Sequence, residues 1–129
     1  MLIEPPSGDG RGDAGDDEPP SMTDVLHAAL APLVARIDAA FIYGPAARTT
    51  ATAHCDIEIM IIGNDIAYAD VLARLIAAAK YMGRSINPSV YSMDEWTRKL
   101  ADGNRVLVAV MKQRRILVVG SEELIPQAR

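Results

Sequence analysis

From Met22 onward the chain alternates between apolar residues at helical spacing and short continuous apolar runs. Leu26, Leu30, Leu33, Val34 and Ile37 recur every three or four positions, the stripe of an amphipathic helix. Ser21 or Thr23 can cap its start, and Asp24 suits the positive helix end. Pro32 interrupts the stripe and predicts a kink or a break into two shorter helices. Residues 39–43 and 54–62 read as the first two strands, followed by a turn at Gly63-Asn64-Asp65. Val71, Leu72, Leu75, Ile76 and Ala79 mark the apolar side of a helix that stops at Gly83, a natural left-handed cap. Residues 86–91 form a third strand, in which Pro88 predicts an edge or a bulge because it has no N–H to donate.

Ser92-Met93-Asp94-Glu95 fits a capping box, opening a helix whose Trp96 and Leu100 face the core and which ends at Asp102-Gly103. Residues 106–111 are rich in β-branched side chains and on that ground read as strand. Residues 116–119 are the last strand, and the chain trails off after Gly120. No Rossmann glycine fingerprint or Walker lysine accompanies the alternation. The fold class is therefore α/β in the α+β sense, a small mixed sheet packed against helices.

Composition narrows the picture. The 129 residues suffice for one domain with a real core, built mainly from aliphatic side chains since only 5% are aromatic. Residues 1–20 hold four prolines and six acidic residues against Arg11, so they carry −5 of the net −4 and leave +1 for residues 21–129. The first 20 residues read as an acidic, disordered tail, and residues 21–129 as the folded domain. A nearly neutral domain gives little electrostatic support for nucleic-acid binding. Lys112, Arg114 and Arg115 read as a charged turn between two apolar runs. No apolar run approaches the roughly 20 residues that span a bilayer, and no membrane role is expected. A lone cysteine excludes an internal disulfide and fits a reducing compartment, so the expectation is a soluble, cytoplasmic protein.

The chemistry concentrates in residues 41–62, FIYGPAARTTATAHCDIEIMII. An apolar strand ends in Gly44-Pro45, a polar connection carries Arg48, and a second strand is interrupted only by Asp56 and Glu58. Alternation places Asp56, Glu58 and Met60 on one face and Ile57, Ile59 and Ile61 on the other. Carboxylates two apart on a strand stand roughly 6.5–7 Å apart at Cα, close enough to converge on a hard divalent cation such as Mg²⁺. The competing reading is a half-buried edge strand whose acidic residues face water. His54 shares the face of Asp56, whereas Cys55 points the other way and reads as a buried, inert thiol.

Gly44, Pro45, Ala47, Arg48, Asp56, Ile57, Glu58 and Ile59, in that order, resemble the signature of the polymerase-beta-like nucleotidyltransferase superfamily, and in particular its small stand-alone group, the minimal nucleotidyltransferases. The likeness continues through residues 83–88, Tyr91, Glu95-Trp96, Gly103-Asn104 and residues 116–120, and covers residues 24–121. It implies a palm-like fold, with a short helix rather than a strand over 106–111.

The resemblance also implies a reaction: transfer of a nucleotidyl group from an NTP to a hydroxyl acceptor. Asp56 and Glu58 would be the catalytic pair and hold Mg²⁺ or Mn²⁺, while Gly44, Pro45 and Arg48 would form the nucleotide-binding turn. Two features depart from the pattern. Position 45 is proline where the family has serine, which removes a hydroxyl and an N–H. The third carboxylate, expected within residues 86–91, is not evident, since Asn87 and Ser89 are the polar residues there. Two functions remain open: a nucleotidyltransferase with a partly degenerate active site, or a catalytically inactive nucleotide- or protein-binding module, such as an antitoxin-like partner of a second protein.

Overall fold

The computed structural model describes residues 21–47 and 56–125. The acidic tail over 1–20, Arg48, His54 and Cys55 lie outside the described residues.

Helix α1 (Met22–Leu30) opens on Ser21, whose Oγ accepts a hydrogen bond from the Asp24 N–H at 3.1 Å. The α-helix gives way to a 3-10 helix over Ala31–Arg36, with Pro32 in its first turn, where the missing N–H has no helical partner to lose. This is the predicted break, and it has a consequence for the stripe: Leu26 and Leu30 are buried, but Val34 turns outward and Ile37 enters strand β1 (Ile37–Tyr43). A second 3-10 turn, Gly44–Ala47, follows β1. Strand β2 (Ile57–Gly63) leads to helix α2 (Tyr68–Met82), closed by Gly83 at φ 67°. Strand β3 (Ile86–Tyr91) runs into helix α3 (Met93–Ala101), where Ser92 and Glu95 form the complete capping box.

Helix α4 (Arg105–Lys112) occupies the ambiguous segment. The Asn104 side chain accepts from the N–H groups of Val106 and Leu107, and this cap, with burial of Leu107 and Val110, outweighs the β-branched propensity. Strand β4 (Ile116–Val119) completes the sheet. The chain then does not trail off: Glu122–Leu124 form a 3-10 turn, and Ile125 is buried at 2% exposure.

The sheet order is β3-β2-β1-β4, with β2 and β3 parallel and the other pairs antiparallel. Strand β2 is interior, which explains why Ile57, Ile59, Ile61 and Ile62 are all fully buried, and it removes the reading of an acidic edge strand. Strand β3 is an edge strand, as Pro88 predicts, and β4 is the other. Helices cover both faces. Leu26 and Leu30 of α1 and Val71, Leu75 and Ala78 of α2 pack on Ala40, Ile42, Ile57, Ile59 and Ile61. Trp96 and Leu100 of α3 and Leu107 and Val110 of α4 pack on Ala39, Phe41, Met60 and Ile62. Trp96 meets Phe41 and Tyr91 edge-on, with ring centroids 6.2 and 6.1 Å away. Ile76 was expected on the buried side of α2 but is 49% exposed, because the helix turns Val71, Leu75 and Ala78 to the sheet instead. Gly120 has φ 84°, and a Cβ there would lie 2.4 Å from the Asp38 carbonyl oxygen, so only glycine fits beside the β1–β4 bulge. Among the described residues no helix is long and apolar enough to cross a membrane.

Candidate nucleotide and metal site

The candidate site gathers where β1 ends, β2 begins and β3 runs alongside. Tyr43, the last residue of β1, pairs with Glu58 of β2, and Glu58 pairs on its other side with Asn87 of β3. Tyr43 and Tyr91 both pack against the core that holds Phe41, Met60 and Trp96, so the Glu58 face of β2 is the α3/α4 face of the sheet. Glu58 is partly buried, and its Oε2 accepts a hydrogen bond from Asn87 Nδ2 at 2.9 Å. Asp56 immediately precedes β2 and is exposed. The Ile57 N–H donates to the Ser85 carbonyl at 2.9 Å, which ties the start of β2 to the chain entering β3.

Gly44 makes the turn out of β1 with φ 74°, a conformation that favours glycine. A Cβ at Gly44 would stand 3.4 Å from Glu58 Cγ, so the turn sits directly against the acidic side chain. Pro45 is exposed in the 3-10 turn, while Ala46 and Ala47 are buried and anchor it. The Gly44 N–H donates to Gln113 Oε1 at 3.0 Å. Gln113 follows α4, and its own carbonyl accepts from Arg115 Nη1 at 3.4 Å.

Arg115 is not the solvated charge that the turn Lys112–Arg115 suggests. Its guanidinium also donates to the Met111 carbonyl and, at 2.8 Å, to Glu122, and it lies 5.7 Å above the centre of the Phe41 ring. These partners hold it beneath the turn.

The Tyr43 phenol is pushed above its ordinary 10.0, first by burial; a hydrogen bond with Ser89 opposes the rise, and the nearby Glu58 and Tyr91 add to it. The two polar residues of β3 thus have separate partners, Asn87 on Glu58 and Ser89 on Tyr43.

The donor set here is hard oxygen, the type Mg²⁺ and Mn²⁺ take. Among the described residues no group of three or more His, Cys, Asp or Glu side chains converges. Asp56 and Glu58 would be the two carboxylates available to a single cation, which phosphate oxygens or water would have to complete. A second cation would find a neutral amide at Asn87. Of the residues expected in the site, Gly44, Pro45 and Glu58 meet around the turn, and Asp56 stands at the start of the same strand. Sequence reasoning missed Gln113 and Tyr43. Tyr43 had a signal, since it shares the strand end with Gly44, but nothing local marks Gln113.

No family model matches the sequence, and no curated protein matches it. Solved structures do. A chain from the crystal structure of the toxin–antitoxin MntA–HpeT, in a mutant with two aspartates changed to glutamate, superposes with a TM-score of 0.55 at 11% identity, over 78% of this chain and 75% of that one. A toxin–antitoxin crystal structure with AMP-PNP gives 0.55 at 12% identity, with the same coverage. A chain from the tri-AMPylated Shewanella oneidensis HEPN toxin in complex with its MNT antitoxin gives 0.51 at 10% identity, over 79% of this chain and 72% of that one. This chain has the minimal-nucleotidyltransferase fold.

Proposed function

We propose that this chain binds a nucleoside triphosphate together with one Mg²⁺ or Mn²⁺ and transfers its nucleotidyl group to a hydroxyl on a partner protein, as the antitoxin member of a toxin–antitoxin pair. The observation that carries this reading is the placement of Glu58 on an interior strand beside the Gly44 turn, with Asp56 two residues before it. Glu58 is a partly buried carboxylate on an interior strand, set against a left-handed glycine turn and hydrogen-bonded to Asn87. The related folds that were solved with AMP-PNP and with an AMPylated toxin support the substrate and partner classes.

In this mechanism Asp56 and Glu58 would hold the cation, whose chemistry would be to neutralise charge on the phosphates, and the turn at Gly44, with Arg48, would align the triphosphate. The acceptor oxygen attacks the α-phosphorus, the bond to the bridging oxygen of the β-phosphate breaks, pyrophosphate leaves, and the hydroxyl proton passes to water. The hydrogen bond from Asn87 engages one oxygen of Glu58, so the other would be the one free to meet a cation.

A second reading is favoured by Asn87 itself. A neutral side chain opposite Glu58, together with Pro45 in the turn, suits a module that binds nucleotide or toxin without turnover. Calorimetric titration with AMP-PNP and Mn²⁺, followed by incubation with ATP and the partner protein, separates the two. Metal-dependent binding lost in Asp56→Asn, with adenylylated partner detected by mass, is the expected result. Binding without transfer would leave the non-catalytic module, and binding that survives Asp56→Asn would overturn the metal assignment.

A further inference from the structure

The Gly44 N–H is the first backbone donor of the turn that faces the acidic strand, yet a side chain already occupies it: Gln113 Oε1 accepts from it at 3.0 Å. The two residues are 69 positions apart, so the contact is a tertiary one and does not belong to the turn itself. We infer that Gln113 is an internal stand-in for a phosphate oxygen, a gate that closes the nucleotide turn until an anion displaces it. This inference rests on the nucleotide-binding reading above and adds to it a means of regulation.

The exchange is physically balanced. A neutral amide oxygen is a weaker acceptor than a phosphate oxygen, whose hydrogen bonds are charge-assisted and roughly twice as strong. The side chain therefore yields to a nucleotide but discourages weaker anions. Gln113 is only partly buried, and its backbone is fixed at the end of α4 by its own N–H on the Val110 carbonyl. Its side chain can leave without unwinding the helix.

The backbone is steadied from below as well. Arg115 donates to the carbonyls of Met111 and Gln113 and to Glu122 in the last 3-10 turn. The order of contacts is thus Gly44 to Gln113 to Arg115 to Glu122, which links the turn to the segment that follows β4. A partner that drew Glu122 away from Arg115 would loosen the gate from outside the site.

The test uses the full chain and AMP-PNP with Mn²⁺. Gln113→Met keeps length and volume but offers no strong acceptor, so the gate reading expects tighter binding by about two- to tenfold, the range of one neutral hydrogen bond. Gln113→Glu places a charged acceptor on the same N–H and repels phosphate, so affinity should fall below that of the native chain. Hydrogen exchange at the Gly44 amide should quicken in Gln113→Met and slow in Gln113→Glu. A side chain that merely pins α4 to the turn would give the opposite sign in the methionine variant, weaker or unchanged binding, and that result overturns the gate while leaving nucleotide binding intact. If neither the native chain nor Gln113→Met binds AMP-PNP, the nucleotide reading fails and the gate falls with it. If only Gln113→Met binds, the gate is established as closed in the free protein.

Discussion

Asn87→Asp tests the geometry around Glu58 most directly. The native pair is a hydrogen bond of 2.9 Å between an amide N–H and a carboxylate oxygen. The variant replaces the donor with a second carboxylate in the same place. Loss of a bond to a charged group costs about 1.5 kcal/mol at the lower end of the usual range, appropriate because Asn87 is exposed. Repulsion adds roughly 1 kcal/mol, the value for unit charges about 4 Å apart in water. A total of about 2.5 kcal/mol in a chain of 129 residues corresponds to a fall of roughly 8–12 °C in Tm. The assay is thermal unfolding followed by circular dichroism, in chelator at pH 8. The deficit should close in millimolar Mn²⁺, because a cation would turn the repelling pair into a ligand pair. A variant that melts with the native chain at pH 8 would refute the contact. A deficit indifferent to Mn²⁺ would refute the cation site.

Two further outcomes follow from the same face and from the sheet edge. Burial raises the Tyr43 phenol, so its stabilising contribution is intact below pH 10.0 and is lost as pH rises from there toward its native-state value; Tyr43→Phe should flatten the alkaline limb of the stability curve, read by denaturant unfolding between pH 9 and 12. Gly120→Ala would force a Cβ to within 2.4 Å of the Asp38 carbonyl at a φ of 84°, and unfolding should register a loss of more than about 2 kcal/mol, against about 1 kcal/mol for Gly103→Ala, which meets no neighbour and bears only the strain of its own φ of 78°.

Much of the fold was legible because local rules and tertiary packing agree. Ser92 and Glu95 announce the start of α3, Gly83 announces the end of α2, and Pro32 announces the change from α-helix to 3-10 helix. The run of isoleucines in β2 announced a strand but not its place, and only the pairings with β1 and β3 make it interior. Residues at 106–111 show the limit of propensity, since the Asn104 cap and two buried side chains decide for helix. The orientation of Ile76 and Val34 was beyond periodicity, because Ile76 depends on how α2 turns on the sheet and Val34 on the change to a 3-10 helix after Leu30. At the site, Asp56, Glu58, Gly44 and Pro45 were readable as a pattern. The contacts of Asn87, Ser89 and Gln113 were not, because each joins side chains brought together only by strand register or by the α4 docking angle.

The two-sided core divides the labour of the molecule. Leu26, Leu30, Val71 and Leu75 hold the sheet from behind, on the surface opposite to Glu58. Phe41, Met60 and Trp96 lie on the same surface as Glu58, and a change of volume there tilts the very strands that carry it. Sequence drift behind the sheet therefore bears on stability alone, whereas drift in front of it bears on stability and also on where the strand ends around Glu58 and Gly44 sit.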